Sequence, residues 1–528
     1  MLQLVWLEII VVTPEEKDQT DNRWGRSWEV PLRITSAWLD TMVSGALFVT
    51  GIMRSHLDFV VPFLRASNSF WQEEIKRIPA TSVAKNWRDY SELLKFNLQI
   101  AEAGWASSQS LIHEYYLNEF KRFAESLINT LSGSGGELLD AYSSEKLDVL
   151  RRLVVDYPDA IRDIGNEFGF QFDNGGYVRV AETDRMSLYQ VLPTEPGVEV
   201  RTDLKPIIVV HPYVLGAGII AFLPGERKSY VHAFANQGIP TYARLVKDIQ
   251  TTEPVQVMTG EDDALDTAYF CRLLKDRHQK PVTLSGFCQG GFICLADVLS
   301  GELDGLVDAL ITCVAPMDGT RSVGLVDYLE HITPRFRDLA YATKILPNGN
   351  SVIDGRVMSW VYKLKSIERE APLFTYFRDI NLFEFMVRRG VQGVGKTAAA
   401  INHWLIYDRN DLPVAITKMS FDSYTIPISS KGCLPVKLFG RELNLDFIRE
   451  KGIHFQICYG AKDDLVDPAS ALAPMDYVQV ELAEFPKGHA AIATSWSDPD
   501  SEYALHKTFA NNQRGPVRFH LDLDHSLA

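Results

Sequence analysis

The sequence predicts an α/β fold: a mostly parallel sheet with helices on both faces, an inserted cap and a helical N-terminal region. Three observations support this prediction. The first quarter of the chain carries long apolar stripes at helical spacing. Short unbroken apolar runs then alternate with amphipathic stretches, as in a parallel sheet whose strands are buried on both faces. One long aromatic-rich segment breaks that alternation and is predicted to form the cap.

The N-terminal region, residues 1–132, is predicted to be helical. Apolar residues recur every three or four positions over 38–60 and again over 87–131, and Pro62 is expected to end the first helix. Such stripes fit either a packed bundle face or a face that lies on an apolar surface. The run 42–53 is too short to span a bilayer, so no membrane span is expected.

The α/β core is predicted in two parts, residues 133–320 and 436–528, separated by the cap at 321–435. The predicted strands lie at 177–180, 186–192, 207–210, 282–285, 308–315, 454–459 and 478–482, with a further strand starting in GIPTYARL. Because ligands bind beyond the carboxyl ends of parallel strands, the loops that follow these strands are where chemistry is expected.

Composition narrows the class of protein. The net charge of −15 and pI near 5.3 argue against nucleic acid as a partner. Six cysteines without metal-ligand spacing favour a reducing cytoplasm and predict no metal site. The apolar first 20 residues lack the basic segment and cleavage site of a signal peptide. We therefore expect a cytoplasmic protein without a cofactor.

One motif carries the chemistry. The stretch GFCQGG at 286–291 follows a predicted strand and matches the nucleophile elbow of α/β-hydrolases, with Cys288 in the place of the usual serine. A buried core cysteine is the alternative interpretation, but the flanking glycines favour a tight turn. The backbone N–H of Gln289 is the expected first oxyanion donor, and a second is expected near Tyr213 or Val214, with Val214 preferred.

Two further residue types follow late predicted strands. Asp464 lies in YGAKDDLVDP and His489 in KGHAA, which completes the order nucleophile, acid, histidine. Asp463 and Asp467 compete with Asp464 for the role of the acid. We expect His489 to accept the thiol proton of Cys288 and Asp464 to fix the histidine tautomer. A sulfur nucleophile suits thioester exchange, so the predicted reaction is acyl transfer from coenzyme A thioesters, with coenzyme A as part of the substrate.

These motifs resemble those of the polyhydroxyalkanoate synthases, whose box is Gly-x-Cys-x-Gly-Gly. The likeness covers about residues 170–495 and includes GEDDALDTAYF, VIDGRVM and WLIYDRNDLP as well as the acid and histidine loops. The resemblance implies a Cys288–His489–Asp464 triad that joins 3-hydroxyacyl groups from coenzyme A into polyester. It also implies that Asp464 helps to activate the attacking 3-hydroxyl, and that the protein works at polyester granules.

Some segments depart from that family. His211-Pro212 stands where the family has Pro-Pro, and AAIATSW follows His489 where the family has Gly and Asn-Pro. The helical first 132 residues more nearly resemble phasins, the granule-coating proteins. Two alternatives therefore stay open: a hydrolase, either a polyhydroxyalkanoate depolymerase or an acyl-CoA thioesterase, and a coat protein without activity. The oligomeric state is open too, with a homodimer as one option.

A second motif resembles a nucleotide-binding site by its sequence alone. GVQGVGKT at 390–397 matches a phosphate-binding loop, which requires a buried strand before it and a helix after it. The preceding NLFEFMVRR instead predicts a helix capped by Asn381. We therefore expect a cap loop here, and no nucleotide site.

Overall fold

The computed structural model describes residues 23–332, 334–490 and 500–501. The apolar N-terminal stretch considered as a signal, and the end of the predicted second core part, lie outside the described residues.

The strands follow the predicted order along the chain. They are β1 (Tyr177–Glu182), β2 (Met186–Val191), β3 (Ile207–Val210), β4 (Thr241–Val246), β5 (Val282–Phe287), β6 (Val307–Cys313), β7 (Thr343–Ile345), β8 (Ser351–Ile353), β9 (Leu412–Pro413), β10 (Cys433–Leu438), β11 (Arg441–Asn444), β12 (His454–Gly460) and β13 (Glu481–Phe485). The last strand begins three residues later than predicted, because Val478 packs in the core before the chain enters the sheet.

The α-helices alternate with these strands after a helical start. They are α1 (Arg23–Arg77), α2 (Val83–Ser132), α3 (Leu139–Arg151), α4 (Tyr157–Asp163), α5 (Gly218–Ala221), α6 (Tyr230–Ala235), α7 (Glu253–Gln256), α8 (Gly260–His278), α9 (Gln289–Ser300), α10 (Val323–His331), α11 (Gly355–Lys365), α12 (Ile367–Glu370), α13 (Pro372–Arg388), α14 (Lys396–Tyr407), α15 (Val414–Thr425), α16 (Asp446–Glu450) and α17 (Pro468–Ala471).

Eight strands form the central sheet in the order β1-β2-β4-β3-β5-β6-β12-β13. The edge hairpin β1–β2 and the β2–β4 pair are antiparallel, and every later pair in this sheet is parallel. All four residues of β3 are buried, as expected for a strand covered on both faces. This strand order, with a strand-to-helix elbow after β5, is the α/β-hydrolase fold. The cap interrupts the sheet between β6 and β12.

The first helix is longer than predicted, because Pro62 does not end it. Helix α1 runs for 55 residues and contains both Pro31 and Pro62. A proline inside a helix costs about 3 kcal/mol, since it removes a hydrogen bond and crowds the preceding turn. Helix α1 packs against α3, α11 and α13. Phe59 and Phe63, on either side of Pro62, both contact the Trp360 ring of α11, and this packing offsets the cost.

The long N-terminal helices pack against the cap. The Tyr376 hydroxyl donates a hydrogen bond of 3.0 Å to the Phe48 carbonyl, and the Phe48 ring meets Tyr376 and Phe377 edge-on at 5.6 and 6.0 Å. A Cβ at Gly51 would lie 2.5 Å from the Tyr376 ring, so this close approach requires glycine. Lys146 on α3 pairs with Glu384 on α13 at 3.2 Å. The helical region therefore shares its core with the cap.

The opposite face of α1 and α2 exposes an apolar surface, which we call the apolar stripe. Among its members on α1 are Trp28, Leu32, Trp38, Leu39, Met42, Val43, Val49, Met53, Leu57, Val61 and Leu64. Within the described residues, the stretch Trp28–Ala80 is long and apolar enough to cross a membrane, with a mean hydropathy of 1.3 in its most apolar window. The run 42–53 belongs to this stretch, and the absence of a membrane span stays a prediction.

A half-buried ion cluster around Arg335 joins the cap to the region where α1 ends and α2 begins. Arg335 donates to both carboxylate oxygens of Glu74, at 2.8 and 2.6 Å, and to Asp89 at 2.5 Å, and the Arg335 and Glu74 side chains are only 12% and 6% exposed. Arg335→Ala should lower the free energy of unfolding by about 3 kcal/mol, because it leaves buried carboxylates without a counter-charge.

The control is Arg449→Ala, which removes an exposed pair with Asp446 and should change the free energy of unfolding by about 0–1 kcal/mol. The free energy of unfolding of both variants is measured by urea-induced unfolding, monitored through tryptophan fluorescence. Equal midpoints for Arg335→Ala and the control would contradict a stabilising role for the cluster.

Candidate active site

Cys288 lies at the turn between β5 and α9 in a backbone conformation that few non-glycine residues adopt. Its φ is 53° and its ψ −126°, and its N–H donates to the Cys313 carbonyl at 2.8 Å. Such strain is held only when the surroundings force it, and it clusters at active sites. A Cβ at Gly286 would lie 2.4 Å from the Gly290 carbonyl, and one at Gly290 2.6 Å from the His211 carbonyl. The glycines of the motif thus allow a helix-to-sheet contact that forms the elbow.

Asp463, and not Asp464, is the acid that contacts the histidine. The Asp463 carboxylate lies 2.8 Å from His489 Nδ1, and its other oxygen accepts hydrogen bonds from the N–H groups of Leu465 and Val466. The Asp464 side chain is 72% exposed and pairs with Arg369 at 3.3 Å. The prediction of Asp464 is therefore wrong by one residue, because the turn after β12 directs the first aspartate inward and the second to solvent.

His489 is buried between the acid and the thiol. Burial alone would lower its pKa, but the carboxylate of Asp463 and the neighbouring Cys288 outweigh it and raise the pKa to about 10. Its Nδ1 is engaged by Asp463, and Cys288 is close enough to interact with the ring. Nε2 is therefore the nitrogen left to exchange a proton with Cys288 or a substrate. The structure thus brings Cys288, His489 and Asp463 into one buried group.

The two predicted oxyanion donors also lie together. Gln289 is the first residue of α9, where a backbone N–H has no partner within the helix. The N–H of Val214 points at this residue, because it donates to the Gln289 side-chain oxygen at 3.3 Å. The Val214 N–H therefore contacts the side chain of the residue that follows Cys288.

A cap segment holds the loop that carries Val214. Trp404 donates through Nε1 to the Leu215 carbonyl at 2.7 Å, and Asp408 accepts from the Gly218 N–H at 3.1 Å. Burial raises the pKa of Asp408 to about 6, although the Gly218 hydrogen bond and a neighbouring arginine oppose the shift. The WLIYDRNDLP segment that supported the family resemblance is thus the segment that holds the loop in which the second oxyanion donor was predicted.

A buried charge cluster supports the same loop from below, and sequence reasoning did not assign its role. The Tyr213 hydroxyl donates to Asp263, which also accepts from the Arg244 guanidinium; Arg244 and Asp263 are fully buried. Burial and the nearby Asp297 carboxylate raise the pKa of Asp263. The signal was present in GEDDALDTAYF, where Asp262 completes the capping box of α8 with Thr259 and the adjacent Asp263 is buried.

Other sequence candidates have structural roles. His211 is buried, with its Nδ1 2.9 Å from the Pro212 carbonyl and its pKa lowered to about 4 by desolvation. Burial raises the pKa of the Cys271, Cys294 and Cys458 thiols, which makes them poor nucleophiles. Within residues 23–332, 334–490 and 500–501 there is no cluster of three or more metal-ligating side chains.

The phosphate-loop motif lies between two helices of the cap. Helix α13 precedes it and α14 begins at Lys396, so the strand that such a loop needs is replaced by a helix. The Lys396 ammonium lies 2.8 Å from Glu167 and 3.0 Å from Glu226. The preceding helix starts at Pro372 and not at the predicted Asn381 cap.

Comparison with known proteins adds the following. No protein-family model matches the sequence, and no curated protein matches it. Solved structures that resemble it include a putative aryl esterase from Burkholderia cenocepacia, with 12% identity, coverage of 60% of this chain and 93% of that chain, and a TM-score of 0.32. A thioesterase domain from the curacin biosynthetic pathway has 13% identity, coverage of 60% and 95%, and a TM-score of 0.31. The α/β hydrolase GrgF from Penicillium sp. has 14% identity, coverage of 61% and 92%, and a TM-score of 0.31.

The position of Asp463 yields the second prediction. In Asp463→Asn the pKa of His489 should fall from about 10 toward its ordinary value near 6.5, because the carboxylate that stabilises the imidazolium is gone. His489 would then lose its positive charge beside Cys288 at neutral pH. Alkylation of Cys288 by iodoacetamide at pH 7, measured by peptide mass spectrometry, should slow at least about tenfold.

Asp464→Asn is the matched control, since it makes the same change one residue away at an exposed ion pair. Its alkylation rate should stay within about twofold of the wild type. Equal slowing by the two substitutions would overturn the assignment of Asp463.

Proposed function

We propose that this protein is an acyltransferase that joins 3-hydroxyacyl groups from coenzyme A into polyester, as polyhydroxyalkanoate synthases do. The observation that carries the proposal is a thiol at a strained elbow beside a buried His489–Asp463 pair. A thiol exchanges acyl groups readily with thioesters, and the acyl-cysteine it forms stays reactive towards alcohols.

The first half-reaction would load the enzyme. The Cys288 thiolate attacks the thioester carbonyl carbon, and the backbone N–H groups of Gln289 and Val214 stabilise the oxyanion that forms. The bond between the carbonyl carbon and the coenzyme A sulfur breaks as the intermediate collapses. The departing thiolate takes the proton held on His489 Nε2, so free coenzyme A and an acyl-cysteine remain.

The second half-reaction would form the ester. The 3-hydroxyl of another hydroxyacyl group attacks the acyl-cysteine carbonyl, and its proton passes to His489 Nε2. The carbon–sulfur bond to Cys288 breaks, which restores the thiolate beside the imidazolium. Both Asp463 oxygens are already engaged, by His489 and by the N–H groups of Leu465 and Val466. This geometry favours His489 over the acid as the base that activates the hydroxyl.

Exclusion of water distinguishes a synthase from a hydrolase. The same triad would hydrolyse its acyl-enzyme if water reached the acyl-cysteine before an alcohol did. Cys288 is only 7% exposed, and the oxyanion loop beside it is held by the cap through Trp404 and Asp408. This enclosure supports the transferase over the alternatives, a polyhydroxyalkanoate depolymerase or an acyl-CoA thioesterase.

The product decides between the two reactions. Given 3-hydroxybutyryl-CoA, the wild-type protein should release coenzyme A, after a lag, while insoluble polyester accumulates. Cys288→Ala, a control that lacks the nucleophile, should release none above background. Coenzyme A is followed with a thiol reagent, and the acyl products by chromatography. Free 3-hydroxybutyrate in amounts equal to the released coenzyme A, without oligomers, would contradict the synthase proposal and support the hydrolase. No release of coenzyme A at all would favour a coat protein without activity.

The apolar stripe supports association with an apolar product in the cytoplasm. Between positions 34 and 53 the only charged residue is Asp40, and it accepts a hydrogen bond from Ser143 on α3. The exposed face of this segment is thus uncharged over about five helical turns. A polyester granule surface fits such a face, because burial of its side chains removes apolar area from water.

Charge on the stripe should weaken this association. The double substitution Trp38→Glu with Met42→Lys places charges at positions where both side chains are more than half exposed, so folding should tolerate it. Binding to poly(3-hydroxybutyrate) particles, measured by sedimentation, should fall at least about tenfold, since two large apolar contacts worth about 1.5–3 kcal/mol each are lost.

Trp38→Phe with Met42→Leu, which keeps both positions apolar, should bind as the wild type does. Unchanged sedimentation of the charged variant would contradict the granule surface as the partner of this face. Removal of the whole helical region is a poorer test, because it would expose Tyr376 and Phe377 of the cap.

A further inference from the structure

The side chain of Gln289 binds the loop that carries Val214, the expected second oxyanion donor. It is buried, and its Oε1 accepts the N–H of Val214 at 3.3 Å while its Nε2 donates to the Ser420 hydroxyl at 2.6 Å. One side chain at the elbow thus bridges the oxyanion loop and a helix of the cap. None of these contacts is required to form the elbow itself, which depends on the glycines and the backbone.

In the proposed mechanism the Val214 N–H receives the acyl oxygen, and in the free protein the amide oxygen of Gln289 accepts from that N–H instead. An oxyanion hole acts through donors aimed at the developing charge, and here one donor is already paired with Gln289. A substrate carbonyl can receive the Val214 N–H only after the Gln289 oxygen has moved away. In the free protein this expected donor is therefore already paired.

The second end of the bridge lies on the cap. Ser420 is a buried residue of α15 (Val414–Thr425), which follows directly on the 404–413 segment that holds the oxyanion loop. A displacement of α15 would lengthen the 2.6 Å bond to Ser420 and free the Gln289 amide. The cap thus anchors both partners of the closed site, the loop and the side chain that fills it.

We propose that Gln289 is a gate residue that closes the oxyanion site in the free protein and is held shut by Ser420 on α15. This inference rests on Cys288 being the acylated nucleophile, as in the proposed function. Entry of an acyl carbonyl requires the Gln289 side chain to rotate out, while its backbone N–H stays in place as a donor. Acylation is therefore slower than the triad alone would permit.

The test measures acylation with a donor that does not depend on polymer formation. The burst of p-nitrophenolate from p-nitrophenyl butyrate reports acylation of Cys288 in the full chain. Gln289→Ala and Gln289→Met both remove the acceptor, and Met keeps the length of the side chain. Each should acylate about threefold to tenfold faster than the wild type, the range that one lost hydrogen bond corresponds to. Ser420→Ala should act in the same direction to a smaller extent.

Two controls make the result decisive. The rate of iodoacetamide alkylation of Cys288 needs no oxyanion site and should be the same in all four proteins, and thermal unfolding reports whether each variant folds. Should a Gln289 variant fail to fold, Ser420→Ala alone carries the test. Slower acylation in the Gln289 variants, with an unchanged rate of alkylation, would contradict the gate proposal. It would instead indicate that the Gln289 side chain assists acylation.

An unchanged rate of acylation in Ser420→Ala would contradict the proposal that Ser420 of the cap holds the Gln289 side chain in place. A burst missing from every protein would count against both the gate and the nucleophile. Normal bursts without polymer from 3-hydroxybutyryl-CoA would instead remove the synthase proposal and leave the gate standing, so the two failures can be told apart.

Discussion

The close approach of α9 to the central sheet is the constraint on which the candidate site depends. Gly286, Gly290 and Gly291 leave no side chain between helix and strands, and a methyl group at any of them would meet a neighbouring atom within 2.6 Å. This contact holds Cys288 in its strained conformation and brings the start of α9 beside the oxyanion loop. The glycine contacts thus fix the position of the thiol, and His489 and Asp463 are placed relative to that fixed position.

Much of this arrangement could be predicted because it is encoded locally. The elbow is a short motif, and the parallel strands are unbroken apolar runs, so Cys288, His489 and the sheet followed from the sequence. The choice between Asp463 and Asp464 could not be made in this way, because adjacent aspartates in one turn have the same local pattern. Only the fold of that turn, which points one carboxylate at His489 and the other at solvent, separates them.

Long-range contacts account for the other differences. Pro62 is a helix terminator by local rules, yet packing on α3, α11 and α13 carries α1 past it. The side chain of Gln289 bonds to residues 75 positions before it and 131 positions after it, so no local pattern indicates its role. The helical region, residues 1–132, was likewise predicted as a region of its own, although its aromatic core is shared with Tyr376 and Phe377 of the cap. Tertiary packing overrides propensity in each of these cases.

The position of the cap in the chain also sets the order in which the site can be completed during synthesis. Strand β6 ends at Cys313 and β12 begins at His454, so the ribosome makes the thiol and its oxyanion loop well before it makes Asp463 and His489. A growing chain that has reached the cap holds an elbow without a base. The buried group of Cys288, Asp463 and His489 can therefore assemble only after the last two strands, β12 and β13, have been made.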